Sequence, residues 1–266
     1  MTENTYQPTA FLGSIPELYD RHLGPVFFEP YAIDLARRVP TSAQRVLEVA
    51  SGTGRVTRQL AARFGELVAT DLNEAMLARA RAVVTDPRIE WRVADMQALP
   101  FADGSFDAVV CQFGLMFAPD KLLALRELRR VVRPGGVVMV STWNDLAKNG
   151  AAQVAHEQAL ATFPADPPAF YLTPFSLFDR DAVCTLLDAA GFAEIRVETV
   201  DTMGSAVSAA DLAIGLVEGN PIAIQLTERG IDVTAYRDRV AEALVTRFGD
   251  LPCRAPLSAH VFAARP

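Results

Sequence analysis

Five apolar runs recur between Arg45 and Trp143 with helical patterns among them, and this rhythm constrains the fold more than any other feature of the chain. RVLEVAS, ELVATD, IEWRVAD, FDAVVCQF and GVVMVSTW read as strands, with helices after the first, second and fourth. Such alternation builds βαβ units and a mostly parallel sheet. RVLEVAS, DAVVCQF and GVVMVST are almost continuously apolar, as expected of central strands covered by helices on both faces. IEWRVAD alternates Ile89, Trp91 and Val93 with Glu90 and Arg92. FAEIRVETV does the same with Ile195, Val197 and Thr199 against Glu194, Arg196 and Glu198, so both read as edge or half-exposed strands. A helix over Asp120 to Val132 opens on a capping aspartate and is expected to stop sharply at Arg133-Pro134-Gly135-Gly136. PLSAHVFAAR reads as the last strand.

The 266 residues exceed one typical domain but suit an α/β unit with insertions. Residues 1 to 14 are polar and expected to be loose. Ile15 to Val39 reads as short helices broken by Gly24, Pro25 and Pro30, so 1–40 is expected to form an N-terminal helical cap on a core over 41–143. Two segments interrupt the alternation: 144–178, ending in FPADPPAFYLTPFSLF, and a helical stretch over 205–250. Long connections in a compact domain are often functional, which makes both lid candidates, with plain structural insertions as the alternative. The remaining segments, 179–204 and 251–266, complete the core sheet.

Half the residues are apolar, 21% are charged and the net charge is −7, the balance of a soluble enzyme rather than of a protein gripping a nucleic-acid backbone. Cys111, Cys184 and Cys253 are widely spaced with no Cys-x-x-Cys pair, so neither a disulfide framework nor a zinc site is expected, and a reducing compartment fits. MTENTYQPTA shows no basic-then-apolar leader, and no stretch approaches the roughly 20 apolar residues that span a bilayer. The expected location is the cytoplasm.

After the first strand the chain reads Glu48-Val49-Ala50-Ser51-Gly52-Thr53-Gly54. Small side chains let a ligand approach the backbone closely, and the amides of such a turn sit near a helix N-terminus, ready for a polar or charged group. The second strand ends in Asp71, seventeen positions beyond Gly54, where a carboxylate can accept both hydroxyls of a ribose. The third ends in Asp95, followed by Met96. Each aspartate alone reads equally as a helix or turn cap. Together with Glu48 they put a carboxylate at three successive strand ends, the edge where open α/β sheets bind ligands, and they point to a nucleoside.

In VLEVASGTGRVT, VATDLNEAMLARA, WRVADMQALPFADGSFDAVVCQFGLMFAPD and LRRVVRPGGVVMVSTW, in that order and spacing, residues 40 to 145 resemble class I S-adenosylmethionine-dependent methyltransferases of the ubiquinone/menaquinone-biosynthesis type. The resemblance implies a Rossmann-like, mostly parallel seven-stranded sheet with helices on both faces, an antiparallel last strand and helical lid insertions. It implies that Glu48 anchors the methionine amino end, and that backbone around Ala50, Ser51, Gly52 and Gly54 lines methionine and ribose. Asp71 would hold the ribose hydroxyls, Leu72 and Met76 would pack on the adenine, and Asp95 would accept from its amino group beside the Met96 amide. Gln112 and Phe113 would lie near the sulfonium, with Tyr19 and Phe28 closing over the cofactor. Ala50 departs from the family pattern by replacing its first glycine.

An NAD-dependent oxidoreductase shares the glycine turn and distant acid, but Thr57 occupies its third glycine position and it leaves Asp95-Met96 unexplained. A cofactor-binding protein without turnover stays open as the alternative. Adenine-N6 methyltransferases carry Asn/Asp-Pro-Pro-Tyr/Phe after the fourth strand, whereas this chain has Cys111-Gln112-Phe113-Gly114, so the expected acceptor is a small apolar or aromatic metabolite and not nucleic acid. Phe163, Phe170, Tyr171, Phe175 and Phe178 are expected either to line its pocket or to pack the lid onto the core. His22 and His156 are the weak candidates for a base, while His260 reads as structural. No metal site is expected, and a second copy of the chain is left open as a partner.

Overall fold

The computed structural model describes residues 11–266. Its strands are β1 (Arg45–Val49), β2 (Glu66–Asp71), β3 (Ile89–Val93), β4 (Phe106–Gln112), β5 (Val132–Trp143), β6 (Ala193–Ala206) and β7 (Cys253–Arg265). They form one seven-stranded sheet in the order β3-β2-β1-β4-β5-β7-β6. The neighbours from β3 to β5 pair in parallel. β7 lies antiparallel between β5 and β6. This is the expected Rossmann-like sheet, and the two alternating runs are its edges, β3 and β6.

Burial explains the order. Val46, Leu47, Val109, Val110 and Val140 on the inner strands are at most 1% exposed, because helices cover both faces of the sheet. On β3, by contrast, Val93 is 47% exposed. The Asp120 side chain caps α5 (Lys121–Val131), accepting from the Leu123 amide at 2.9 Å. The expected stop at Arg133–Gly136 differs from what forms: β5 already begins at Val132, paired with Phe106. The pairing then jumps to Ala108 with Val137, so the four residues form an irregular bulge within the strand.

The helices α1 (Ile15–Leu18) and α2 (Glu29–Arg38) flank a π-helix over Tyr19–Phe28. Residues 1–10 of the expected cap lie outside the described residues. The cap is tied to the core by the burial of Leu23, Val26, Phe27, Tyr31 and Leu35 and by charge. The buried Asp20 carboxylate accepts from Arg55 Nη2 at 2.6 Å and from Arg79 Nη2 at 2.8 Å. These arginines belong to α3 (Arg55–Ala61) and α4 (Glu74–Val83). Gly24 makes room, since a β-carbon there would collide with the Arg55 guanidinium. Glu29 holds Arg55 and Arg58 at 3.1 and 2.6 Å.

The insertions are built differently. Residues 144–178 contain α6 (Gly150–Thr162), and 205–250 contain α8 (Ala209–Val217), α9 (Ile222–Glu228) and α10 (Val233–Phe248), with α7 (Arg180–Ala189) between the two segments. Phe170, Tyr171 and Phe175 are buried and Phe163 half-buried, packed in the same apolar cluster as Leu212, Leu216 and Tyr236. The Tyr171 hydroxyl donates to the Leu216 carbonyl at 3.0 Å. Only Phe178 of the five aromatics is largely exposed, at 47%.

Candidate functional site

A cleft of about 270 Å³ opens over the carboxyl ends of β1, β2, β3 and β4. Its floor is the turn after β1. The Ser51 amide donates to the Thr70 carbonyl at 2.9 Å, and the Gly54 amide turns back to the Ser51 carbonyl at 2.9 Å. Ala50 and Phe113 hold φ of 57° and 53°, in the left-handed region that costs a residue with a side chain about 1–2 kcal/mol. Two strained residues therefore meet at one end of the sheet, as is common where a site over-determines its backbone.

Of the expected residues, Tyr19, Glu48, Ala50, Ser51, Gly52, Asp71, Leu72, Met76, Asp95, Met96, Gln112 and Phe113 all line the cleft. Gly54 does not. It sits at the N-terminus of α3 with φ 83°, and a β-carbon there would press on Val84 at 3.1 Å and Trp91 at 3.3 Å. Close packing and the left-handed φ account for a glycine here. His22 also lies outside the lining: it is buried, with Nδ1 2.9 Å from Asp211 Oδ1 on α8. His156 is likewise outside, on α6 with its ring 6.5 Å from that of Tyr171. Burial holds the His156 pKa below its usual value. His260 bridges Thr199 Oγ1 at 3.0 Å and the Phe178 carbonyl at 3.2 Å. No lining residue comes from 144–178 or 205–250.

Three carboxylates differ sharply in their surroundings. Glu48 is 2% exposed, and its Oε2 has no hydrogen-bond partner among the described residues. Burial pushes its pKa up to about 8, the Thr57 hydroxyl opposing the shift and the Asp71 charge adding to it. Asp71 accepts from the Gly52 amide at 2.8 Å and the Asn73 amide at 2.8 Å, which orients it across the turn. Burial raises its pKa as well, against those amides. Asp95 accepts from the Gln97 amide at 2.8 Å. The capping readings are thus partly right: both aspartates fix local turns while keeping lone pairs for a ligand.

Buried polar atoms without partners mark what the cleft lacks. Besides Glu48 Oε2, they include Ser51 Oγ, Thr53 Oγ1 and Gln112 Oε1 among the lining residues. Leaving such groups unpaired is costly, so a ligand that pairs them binds with that advantage. The roof comes from the cap. Phe11, Tyr19 and Phe28 line the cleft, with Tyr19 and Phe28 stacked at 4.8 Å and Phe28 edge-on to Phe113 at 6.0 Å. Asn73 Nδ2 donates to the Phe11 carbonyl at 3.1 Å, pinning the cap to the start of α4. Phe117, Ala118 and Pro119 complete the wall and were not singled out individually from the sequence. Their only signal was position, directly after the fourth strand.

Fold and site together define a Rossmann-like protein with a nucleoside-type cleft at the carboxyl edge of its sheet. Residues 47–140 match the family model described as a methyltransferase domain. The chain is 35% identical over 176 residues to the ubiquinone/menaquinone biosynthesis C-methyltransferase of Dinoroseobacter shibae, covering 59% of this chain and 69% of that protein. It belongs to the S-adenosylmethionine-dependent methyltransferase family. An uncharacterised protein of Mycobacterium tuberculosis is 36% identical over 154 residues, 57% of this chain, and the match spans only about half of that relative's length, 54%. Haemonchus contortus phosphoethanolamine N-methyltransferase 2, solved with S-adenosyl-L-methionine, superposes with a TM-score of 0.62 at 18% identity, covering 100% of this chain and 61% of that one. The [4+2]-cyclase SpnF shares the fold with a TM-score of 0.59 at 18% identity, covering 95% and 93%. These last two likenesses concern the fold alone. No helix among the described residues is long and apolar enough to cross a membrane.

Proposed function

We propose that the protein transfers the methyl group of S-adenosylmethionine to a small, largely apolar or aromatic acceptor. The observation that carries this reading is the buried Glu48 carboxyl, with an unpartnered oxygen at the floor of a cleft whose other strand ends supply Asp71 and Asp95. The residues fit the cofactor. Glu48 would take the methionine ammonium, Asp71 the ribose hydroxyls and Asp95 the adenine amino group, with Leu72 at the rim and Met76 beneath packing on the base.

The bound cofactor would supply an already activated methyl on a sulfonium. What remains for the protein is to align the acceptor and exclude water. Tyr19, Phe28, Phe113 and Phe117 supply an apolar wall for that. No imidazole or lysine lines the cleft among the described residues, which favours alignment over a dedicated base. The relationship to a C-methyltransferase supports carbon on an electron-rich ring as the first acceptor class to assay, ahead of nitrogen and oxygen.

Calorimetry with S-adenosylmethionine and S-adenosylhomocysteine tests the cofactor assignment. Asp71→Ala is expected to weaken both by about 1.5–3 kcal/mol, the range for hydrogen bonds to a charged acceptor. Unchanged affinity in this variant, or tight NAD binding by the native protein, would sink the reading. A cofactor that binds but is consumed with no acceptor in a metabolite extract would favour a binding protein instead.

A further inference from the structure

Gln112, the last residue of β4, has a side chain whose two ends have different fates. Its Nε2 donates to the Phe28 carbonyl at 3.2 Å, linking the strand to the end of the π-helix. Its Oε1 is buried without a hydrogen-bond partner among the described residues. Flipping the amide would set oxygen against the Phe28 carbonyl, acceptor against acceptor, so the contact fixes which end is free. Gln112 lines the cleft among Phe28, Phe113 and Tyr19. Within that aromatic surround, the free oxygen requires a donor.

On the roles proposed above, the cofactor's N–H and O–H donors, the ammonium, the ribose hydroxyls and the adenine amino group, would be taken by Glu48, Asp71 and Asp95, leaving none assigned to Gln112. The donor that completes Gln112 is then a water or a group on the second substrate. We propose that Gln112 determines acceptor specificity: its Oε1 accepts a hydrogen bond from an O–H or N–H on the acceptor, selecting donor-bearing rings over capped ones. This assignment rests on reading the cleft as a methyltransferase site. It also moves Gln112 from the cofactor to the acceptor.

The test uses full-length protein loaded with S-adenosylhomocysteine and two probe pairs, phenol against anisole and aniline against N,N-dimethylaniline, followed by ligand-observed NMR titration. The native protein is expected to favour the donor-bearing member of each pair by about tenfold, the scale of one buried hydrogen bond. Gln112→Leu should erase the preference with S-adenosylhomocysteine still bound, a thermal melt serving as the control for folding. Equal binding or no binding of the probes by the native protein, or a preference surviving in Gln112→Leu, would overturn the proposal. So would a tenfold loss of S-adenosylmethionine affinity in Gln112→Leu with S-adenosylhomocysteine affinity unchanged, since the oxygen would then serve the sulfonium end of the cofactor. Failure of the native protein to bind S-adenosylhomocysteine at all would instead remove the methyltransferase reading beneath it.

Discussion

Residues 11–38 and residues 144–178 are both rich in aromatic side chains, yet the first presents Phe11, Tyr19 and Phe28 to the cleft and the second turns Phe170, Tyr171 and Phe175 into the apolar interior. Their anchors differ too. The cap is held in two ways: Leu23, Val26, Phe27 and Tyr31 are buried in the main apolar cluster, while its start, Phe11 and Ile15, sits in a small cluster with Met76 beside the ionic contacts of Asp20 with Arg55 and Arg79. The insertion is held by burial and by hydroxyl-to-carbonyl bonds such as Tyr171 to Leu216. Residues 11–20, held by that small cluster and by side-chain pairs, can open locally at modest cost, whereas the main cluster opens only with much of the domain. Aromatic content alone therefore does not separate a segment that lines the cleft from one that packs the interior.

That contrast is broken or sharpened by mutation. The largest effect is expected from Tyr171→Ala, which removes a buried ring and leaves the Leu216 carbonyl without its hydroxyl donor. It should cost about 3–5 kcal/mol in a denaturant titration, as large aromatic truncations do, with little change in S-adenosylhomocysteine affinity. A small stability loss with a large affinity loss would make the insertion a working lid after all. Next comes Asp20→Asn, which removes the carboxylate shared by Arg55 and Arg79 while Glu29 keeps its hold on Arg55. Stopped-flow dissociation of S-adenosylhomocysteine should quicken by about tenfold, or ~1.4 kcal/mol of closure. An unchanged off-rate would detach the cap from cofactor exchange.

The last test is the pH response of Glu48, on the cleft floor that the cap covers. Its carboxyl, with pKa raised to about 8, is mostly protonated in the ligand-free protein at neutral pH, while a bound ammonium favours the ionised form. Affinity for S-adenosylhomocysteine should then rise between pH 6 and 7.5, by at most about tenfold per pH unit. Stability has the opposite sign. A folded-state pKa above the unfolded value contributes stability that is full below the unfolded pKa and is lost as pH rises toward 8, so the free protein should lose that share over this range. Glu48→Gln should flatten both curves, measured by calorimetry and by thermal melts at each pH.

The strands, the turn after β1 and the aspartates at β2 and β3 were legible because each is written in a few neighbouring residues. Edge strands β3 and β6 showed themselves through alternation for the same reason. What the sequence hid depends on distant partners. Asp20 and Arg55 lie 35 positions apart, and nothing local says that they meet across the cleft's roof. Gly54 gives no sign in sequence of the Val84 and Trp91 side chains packed against it. His22 gives no sign in sequence that Asp211, 189 positions later, meets its Nδ1 and that it lies outside the cleft lining. The insertion aromatics fit lining and packing equally well by composition, and only the fold decides between them.

Hydrogen–deuterium exchange with and without S-adenosylhomocysteine tests most directly the claim that the cap, and not the insertions, closes the cofactor cleft. The expected result is new protection on ligand binding in residues 11–20, 48–56 and 71–76, while 144–178 and 205–250 are already protected in the free protein and change little. Protection gained in the insertions, with residues 11–20 unaffected, would contradict it.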